Sequence, residues 1–294
     1  MKFHALAAAC AFAFSLHAAH PFIACDYIGN KVAIVSADGK IETQFDCPNP
    51  QDCWRLANGN FLICYRTGAR EVTRENKTVW EYKAPEKVEV HACQPLADGR
   101  VLIAEGGTAR LIEVDREGKI VKEIKLPSAT TQGTHEQVRG ARKLANGHYL
   151  LCLKGDHKLA EIDGDGKIVR EFKTPGDLHE AIALPNGNIL ISCGDGHKVI
   201  EIDRNDKIVW EVNENDLPNN PLRLAAGMQR LPNGNTILCN YLGHGHTGEQ
   251  PQFIEVTRDK KVVWEFRDEK QFKSVNQIQL LDVAGDPMKG EILR

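Results

Sequence analysis

One unit recurs along almost the whole chain and decides what it can fold into. Its clearest copy runs Leu184-Pro185-Asn186-Gly187-Asn188-Ile189-Leu190-Ile191, then Ile200-Glu201-Ile202-Asp203-Arg204-Asn205-Asp206-Lys207-Ile208-Val209-Trp210-Glu211. The first half, Leu-x-Asn/Asp-Gly, appears five times, with glycines at 59, 99, 147, 187 and 234 and spacings of 40, 48, 40 and 47 residues. Asn-Gly between apolar runs signals a tight hairpin, read here as a two-residue turn. The second half, Ser/Thr/Asp-x-x-Gly/Asn/Asp/Lys-Lys, ends at Lys40, Lys77, Lys119, Lys167, Lys207 and Lys261 and lies between stretches of alternating polarity such as Leu111 to Val114 and Ile120 to Ile124. Alternation with period two marks half-buried strands, and no window shows comparable helical periodicity.

Each unit therefore holds four short strands, and a 40-residue period of four strands is the signature of a β-propeller blade. The two halves disagree in number, five against six. The copy at Lys40 has three strands (Phe22 to Cys25, Lys31 to Val35, Ile41 to Phe45) and no first one, while Ser274 to Leu281 is a lone strand at the other end. Together they make one blade. The expectation is an all-β, six-bladed propeller of four-stranded antiparallel blades, its ring closed by the C-terminal strand joining the N-terminal three, which removes two open sheet edges.

Met1-Lys2-Phe3-His4 followed by the apolar run Ala5 to Leu16 and Ala18-Ala19 reads as a secretory signal peptide over residues 1–19, leaving residues 20–294 as a single propeller domain. That predicts a periplasmic or secreted protein, with no membrane insertion after signal removal and a monomer expected. A formal charge of -3, without a basic block, excludes nucleic acid as a partner.

Eight cysteines follow the signal, but their placement argues for packing. Cys64, Cys152 and Cys239 each fall five residues after a turn glycine, where other copies have Ala104 and Ser192, so the slot takes a small side chain. A two-residue turn at Asn58-Gly59 would set Cys53 opposite Cys64 as a cross-strand disulfide, and Cys47 with Cys53 is the competing pair.

In a four-stranded meander the two short turns share one face, and the longer connections share the other. The longer set carries the length variation, with insertions at Thr130 to Arg142 and Tyr241 to Gln252. It also carries seven of the eight histidines that follow His20, only His148 lying beside an Asn-Gly turn. Loops held by a rigid scaffold are where binding groups concentrate. Residues leading into the innermost strand lie nearest the channel: Asp52, His91, Arg139, His179 with Glu180, Gln229, and Asn276 or Gln277. His135, Glu136, Arg142 and Arg223 adjoin them, and His244 lies in Gly243-His244-Gly245-His246. These groups are read as lining one mouth that binds a small polar or anionic ligand, with Asp52, His135, Glu136, Glu180, Arg223, Gln229, His244 and Gln277 as ligand contacts. The alternative is a non-enzymatic scaffold that docks another exported protein on the long-loop face. His91, His135 and His179 can be drawn together as a metal site, but no close ligand spacing supports it, so no metal is assigned and the cofactor is unknown. The recurring Trp80, Trp210 and Trp264, each followed by Glu, are read as packing between blades.

The combination Leu-Pro-Asn-Gly-Asn-x-Ile/Leu-Leu with Ile-Glu-Ile-Asp-x-x-x-Lys-Ile-Val-Trp-Glu resembles the repeats of PQQ-like and arylsulfotransferase-like β-propellers of bacterial exported proteins, over roughly residues 21 to 283. The resemblance implies a nucleophilic histidine with further His and Arg side chains at the channel mouth. His91, His179 and Arg139 are the positional counterparts and are assigned the reacting roles.

Overall fold

The computed structural model describes residues 19–128, 130 and 133–294. The stretch read as a signal peptide, residues 1–19, lies outside the described residues except for its last position. No helix among the described residues is long and apolar enough to cross a membrane.

Among the described residues, twenty-four strands form six four-stranded antiparallel sheets. The split blade has the order β24 (Val275–Leu280), β1 (Phe22–Asp26), β2 (Lys31–Val35), β3 (Ile41–Asp46), so the last strand closes the ring against the first. The second blade is β4 (Pro50–Arg55) to β7 (Thr78–Lys83), the third β8 (Glu89–Pro95) to β11 (Ile120–Lys125), and the fourth β12 (Gly140–Lys143) to β15 (Ile168–Lys173). The fifth is β16 (Glu180–Ala183) to β19 (Ile208–Asn213) and the sixth β20 (Ala225–Arg230) to β23 (Val262–Phe266). The first strands β24, β4, β8, β12, β16 and β20 touch one another in a closed circle around the channel. A five-residue helix, α1 (Gly133–Gln137), occupies the first insertion, too short to register as helical periodicity.

The two turn families have one geometry. In the first, Leu56 N–H donates to Asn60 O (2.8 Å) and Gly59 N–H to Leu56 O (3.0 Å); in the second, Asp163 N–H donates to Lys167 O (2.9 Å) and Gly166 N–H to Asp163 O (3.1 Å). The third loop residue takes positive φ: +87° at both Gly59 and Gly166, and 62–63° where Asn76, Asp206 or Lys260 replaces glycine. This is the three-residue hairpin, a type I turn closed by one left-handed residue. Asn58 is not among the positive-φ residues, so the two-residue turn is corrected. The register moves by one: Asp52 faces Cys64 and Cys53 faces Ile63. Cys47, Cys53 and Cys64 are free and buried, like the other five described cysteines.

The cores lie between neighbouring blades. Small residues fill the slots next to the inner strands, with Cys64, Ala104, Ser192 and Cys239 at 0 % exposure. Tryptophans stitch one blade to the next: Trp80 Nε1 donates to Asp115 O (2.9 Å), and Trp210 Nε1 to Arg258 O (2.8 Å). Trp264 instead packs with Phe22 and Phe253, joining the sixth blade to the split one. The residue after the first-family glycine reaches a third-strand glutamate, as in Asn60 to Glu71 (2.6 Å) and Asn188 to Glu201 (2.8 Å). His148 does the same with Glu161 (2.6 Å), which accounts for the one histidine beside a short turn.

Candidate functional site

One position of the repeat builds the channel lining. Five residues before the leucine that opens each first-family turn stand Gln51, His91, Arg139, His179 and Ala226, and the split blade contributes Asn276 at the same distance before Leu281. All six line a single small void of about 20 Å³. The backbone explains why these side chains turn inward. Pairing jumps from Pro50 to Asp52, from Val90 to Ala92 and from Val275 to Gln277, so Gln51, His91 and Asn276 each fall in a β-bulge. A bulge leaves one residue unpaired and re-aims its side chain. Arg139 and His179 stand just before their strands, anchored by N–H bonds to Cys152 O (2.9 Å) and Ser192 O (3.2 Å).

Above the ring the void opens into a cavity of about 240 Å³ on the long-loop face. Arg139, His179, Ala226 and Asn276 line both, joined in the cavity by His135 of α1, Lys154, Asp195, Leu224, His244, and Tyr27 with Tyr241. The two tyrosine rings meet edge to face at 6.2 Å, and His244 stands edge-on to Tyr241 at 5.3 Å.

Electrostatically the cavity is dominated by Arg139. Its Nη1 reaches His91 Nδ1 (3.1 Å), Gln51 Oε1 (3.3 Å) and His135 Nε2 (3.5 Å), and among the described residues no carboxylate forms an ion pair with it. Lys154, the other cation on the wall, is held by Glu136 (2.7 Å) and Asp177 (3.4 Å). Burial and then the Arg139 charge push His91 and His179 well below the usual histidine range, and His135 down to about 4. All three rings are neutral at pH 7. Burial pushes Glu89 up, but hydrogen bonds from Arg66 and Thr134 outweigh it and hold the carboxyl below its ordinary value.

Ligand atoms of Glu89, His91 and His135 lie within 4.8 Å of one another, a donor set that includes two of the three histidines considered for a metal, with Glu89 in place of His179. The arginine argues against a cation there. A guanidinium only donates, so His91 Nδ1 and His135 Nε2 present lone pairs to it. The ring protons then sit on the nitrogens that face Glu89 Oε2, each at 3.5 Å. Metal ligation would need those protons moved to the side where Arg139 already points N–H groups.

The other expected residues divide in a definite way. Asp52, Glu180 and Gln277 face a buried ionic cluster one layer deeper. Arg142 reaches Asp52 (3.2 Å) and Glu180 (2.5 Å), while Arg294 reaches Asp52 (2.8 Å) and Gln277 (3.1 Å), donates to Cys53 O and stacks over Trp54 at 4.2 Å. Glu180 also accepts from Met228 N (2.8 Å) and Gln277 Nε2 (3.2 Å). Burial raises Glu180, with Arg142 opposing. Two carboxylates against two guanidiniums make a balanced plug. Gln277 also borders the small void, so the cluster floors the ring. Gln229 accepts from Leu280 N (2.8 Å), tying β20 to β24. Glu136 positions Lys154, and the Arg223 guanidinium is turned onto the carbonyls of Asn220 (2.8 Å) and Leu222 (3.2 Å). On the opposite face a groove of about 710 Å³ lies between the short turns and residues 287–294; the buried charges on its wall, Arg142 and Arg294, are the ones already paired in the plug.

Gln51, Lys154, Asp195, Leu224, Ala226 and the tyrosines join the expected residues without standing out in the sequence. Tyr27, Lys154 and Tyr241 each directly follow the second strand of a blade, and that shared position was the available signal.

The family model described as Mal s 1 allergenic protein-like matches residues 64–261, more than half of the chain. No curated protein matches the sequence. Among solved structures, a protein of unknown function from Bacteroides caccae is 27 % identical, with a TM-score of 0.81, covering 88 % of this chain and 97 % of that one. A virginiamycin B lyase from Staphylococcus aureus, in a catalytically inactive form with quinupristin, is 15 % identical with a TM-score of 0.62, covering 88 % of each chain. The lyase shares the fold alone. The matched family is a β-propeller family, the level at which the resemblance read from the repeats stands.

Proposed function

From the premise that the chain belongs to the Mal s 1 allergenic protein-like family of β-propellers, we propose that it is a ligand-binding propeller whose long-loop mouth takes a small monoanionic molecule anchored by Arg139. One observation carries the reading: a guanidinium with no carboxylate partner among the described residues lies in the wall of a cavity beside His135 and His179, both held neutral by burial and the arginine's own charge. A half-buried cation without a counter-charge is costly, and an incoming anion supplies the charge-assisted bonds it lacks. The single unpaired positive charge matches one negative charge, because Lys154 is already engaged by Glu136 and Asp177. Tyr27, Tyr241, Leu224 and Ala226 offer apolar surface for the rest of the molecule.

Among the three candidate reacting residues, His179 is the one available for proton transfer or nucleophilic attack, the step the arylsulfotransferase-like resemblance implies. His91 and His135 each have one ring nitrogen toward Arg139 and the other toward Glu89, whereas the His179 ring has no hydrogen-bond partner among the described residues. Export belongs to the same proposal and rests on residues 1–19; a mature chain whose measured mass begins at residue 20 supports it, and an unprocessed chain refutes it.

The test is thermal stabilisation by a panel of small carboxylates, phosphate esters and sulfate esters against their neutral amides or alcohols. A ligand at a hundred times its dissociation constant stabilises by about 2.7 kcal/mol. Wild type and Arg100→Met, on the opposite face, are expected to respond to anions, and Arg139→Met to none. Equal stabilisation by neutral analogues, or an unchanged response in Arg139→Met, overturns the reading. Sensitivity confined to substitutions in residues 241–252, read out by capture of an exported protein, favours the scaffold instead.

A further inference from the structure

The void beneath the cavity has its own chemistry. Gln51 Oε1 accepts from Arg139 Nη1 (3.3 Å), and since arginine only donates, the amide orientation is fixed and Gln51 Nε2 points the other way. Asn276 Nδ2 donates to Pro50 O (3.1 Å) and Gln51 O (3.4 Å), both acceptors only, so Asn276 Oδ1 is fixed too. These two atoms, Gln51 Nε2 and Asn276 Oδ1, are buried with no hydrogen-bond partner, and their residues are 3 % and 6 % exposed. Both side chains line the same void of about 20 Å³. Two further unmet donors, His91 Nε2 and Arg139 Nε, belong to residues that line the same void, but His91 Nε2 faces Glu89 Oε2 at 3.5 Å and neither is an acceptor, so the two amides supply its one unmet acceptor and a donor beside it, around a space of one polar atom. Leaving such groups unmet is costly, and a hydroxyl can satisfy both, accepting from the amide N–H and donating to the carbonyl oxygen.

We infer that the ligand is a small hydroxycarboxylate, with its carboxylate on Arg139 and its hydroxyl in the void between Gln51 and Asn276. The inference rests on the anion-binding reading above and narrows it. Arg139 holds the carbonyl end of the same side-chain amide whose amino end lines the void, so the two ligand groups lie one amide apart. A 2-hydroxy or 3-hydroxy acid has that spacing, and a longer separation would take the hydroxyl out of the void. The body of the acid then rises past Ala226 toward Tyr27 and Tyr241.

Isothermal titration of the full protein with matched pairs tests this: lactate against propionate, 3-hydroxybutyrate against butyrate, and mandelate against phenylacetate. The expected result is that the hydroxy acid of at least one pair binds about tenfold more tightly, the worth of one well-made hydrogen bond. In Gln51→Met that ratio falls toward one, and in Arg139→Met neither acid binds; circular dichroism and melting confirm that each variant is folded. Equal affinities within every pair, abolished together by Arg139→Met, mean that the void keeps a water molecule, which overturns the hydroxyl inference and leaves the anion site standing. Failure of every acid to bind wild type overturns both. A ratio that survives Gln51→Met and Asn276→Leu places the hydroxyl elsewhere and overturns the inference as well.

Discussion

Arg294→Ala removes one of the two cations that balance Asp52 and Glu180. The guanidinium loses its bonds to Asp52 (2.8 Å), Gln277 (3.1 Å) and Cys53 O, and its place over Trp54 at 4.2 Å. Arg142 is left to serve two buried carboxylates, at 3.2 and 2.5 Å. Removing one partner from a buried ion cluster costs about 3–5 kcal/mol, because a charge is stranded without water. Glu180, already raised by burial, provides relief by taking up a proton. A carboxyl whose folded-state value is raised favours the folded state at low pH, and the variant raises it further. The deficit should therefore be about 3 kcal/mol or more at pH 8 and shrink as pH falls toward 5, at up to about 1.4 kcal/mol per pH unit. For a chain of this size about 3 kcal/mol corresponds to roughly 5 °C in melting temperature. Chemical denaturation of both proteins from pH 5 to 8 reads the difference. A loss below about 1 kcal/mol at pH 8, or a deficit that does not change with pH, would show that the plug is not a balanced ionic unit.

Other expectations are simpler. His91, His135 and His179 have lowered folded-state values, so the unfolded chain binds their protons first, and stability is lost as pH falls below about 6.5. Denaturation between pH 7 and 5 should show a slope that steepens toward about 1.4 kcal/mol per unit from buried His91 alone, diminished in His91→Gln; His135 adds less because its side chain is 45 % exposed, and a flat profile contradicts the burial assignment. His20, raised by its bonds to Glu255 and Asp282, acts in the opposite sense, its contribution being lost as pH rises through its raised value. Gly147→Ala meets no atom within 4 Å of the added carbon, yet φ is +85°, so it should cost about 1 kcal/mol through backbone conformation alone, and a neutral result would mean the turn adapts. The eight described cysteines are free and buried, so a thiol reagent should label none in the native protein and all eight after guanidinium, whereas fewer would mean disulfides.

The fold was legible because its determinants are local and copied. Alternation and turn glycines recur closely enough to count blades, and the mismatch between Lys40 and Ser274 located the closure. The register was missed by one because Asn-Gly fits two hairpins, and only the negative φ of Asn58 separates them. That single residue decides which side chains meet: Asp52, not Cys53, faces Cys64. The face that carries the candidate cavity could be read from loop lengths and histidines, but the composition of that cavity could not be read fully. Counting back from each turn leucine found His91, Arg139 and His179, yet took Asp52 in place of Gln51, because a bulge at the head of β4 is invisible in the pattern of polarity. Asp52 and Glu180, polar and near the mouth in sequence, turn to the layer below. There they meet Arg294, a partner more than a hundred residues away that no repeat specifies.

The Arg139 cavity on the long-loop face is the proposed anion site, and a bound acid can be located in it directly. A crystal soaked with 2-bromopropionate, measured at the bromine absorption edge, locates the bound acid directly by anomalous scattering. The expected result is a bromine peak inside the cavity of about 240 Å³, with the carboxylate on the Arg139 guanidinium. A peak only in the groove beside residues 287–294, or an ordered Arg139 with the acid bound nowhere near it, would contradict the claim.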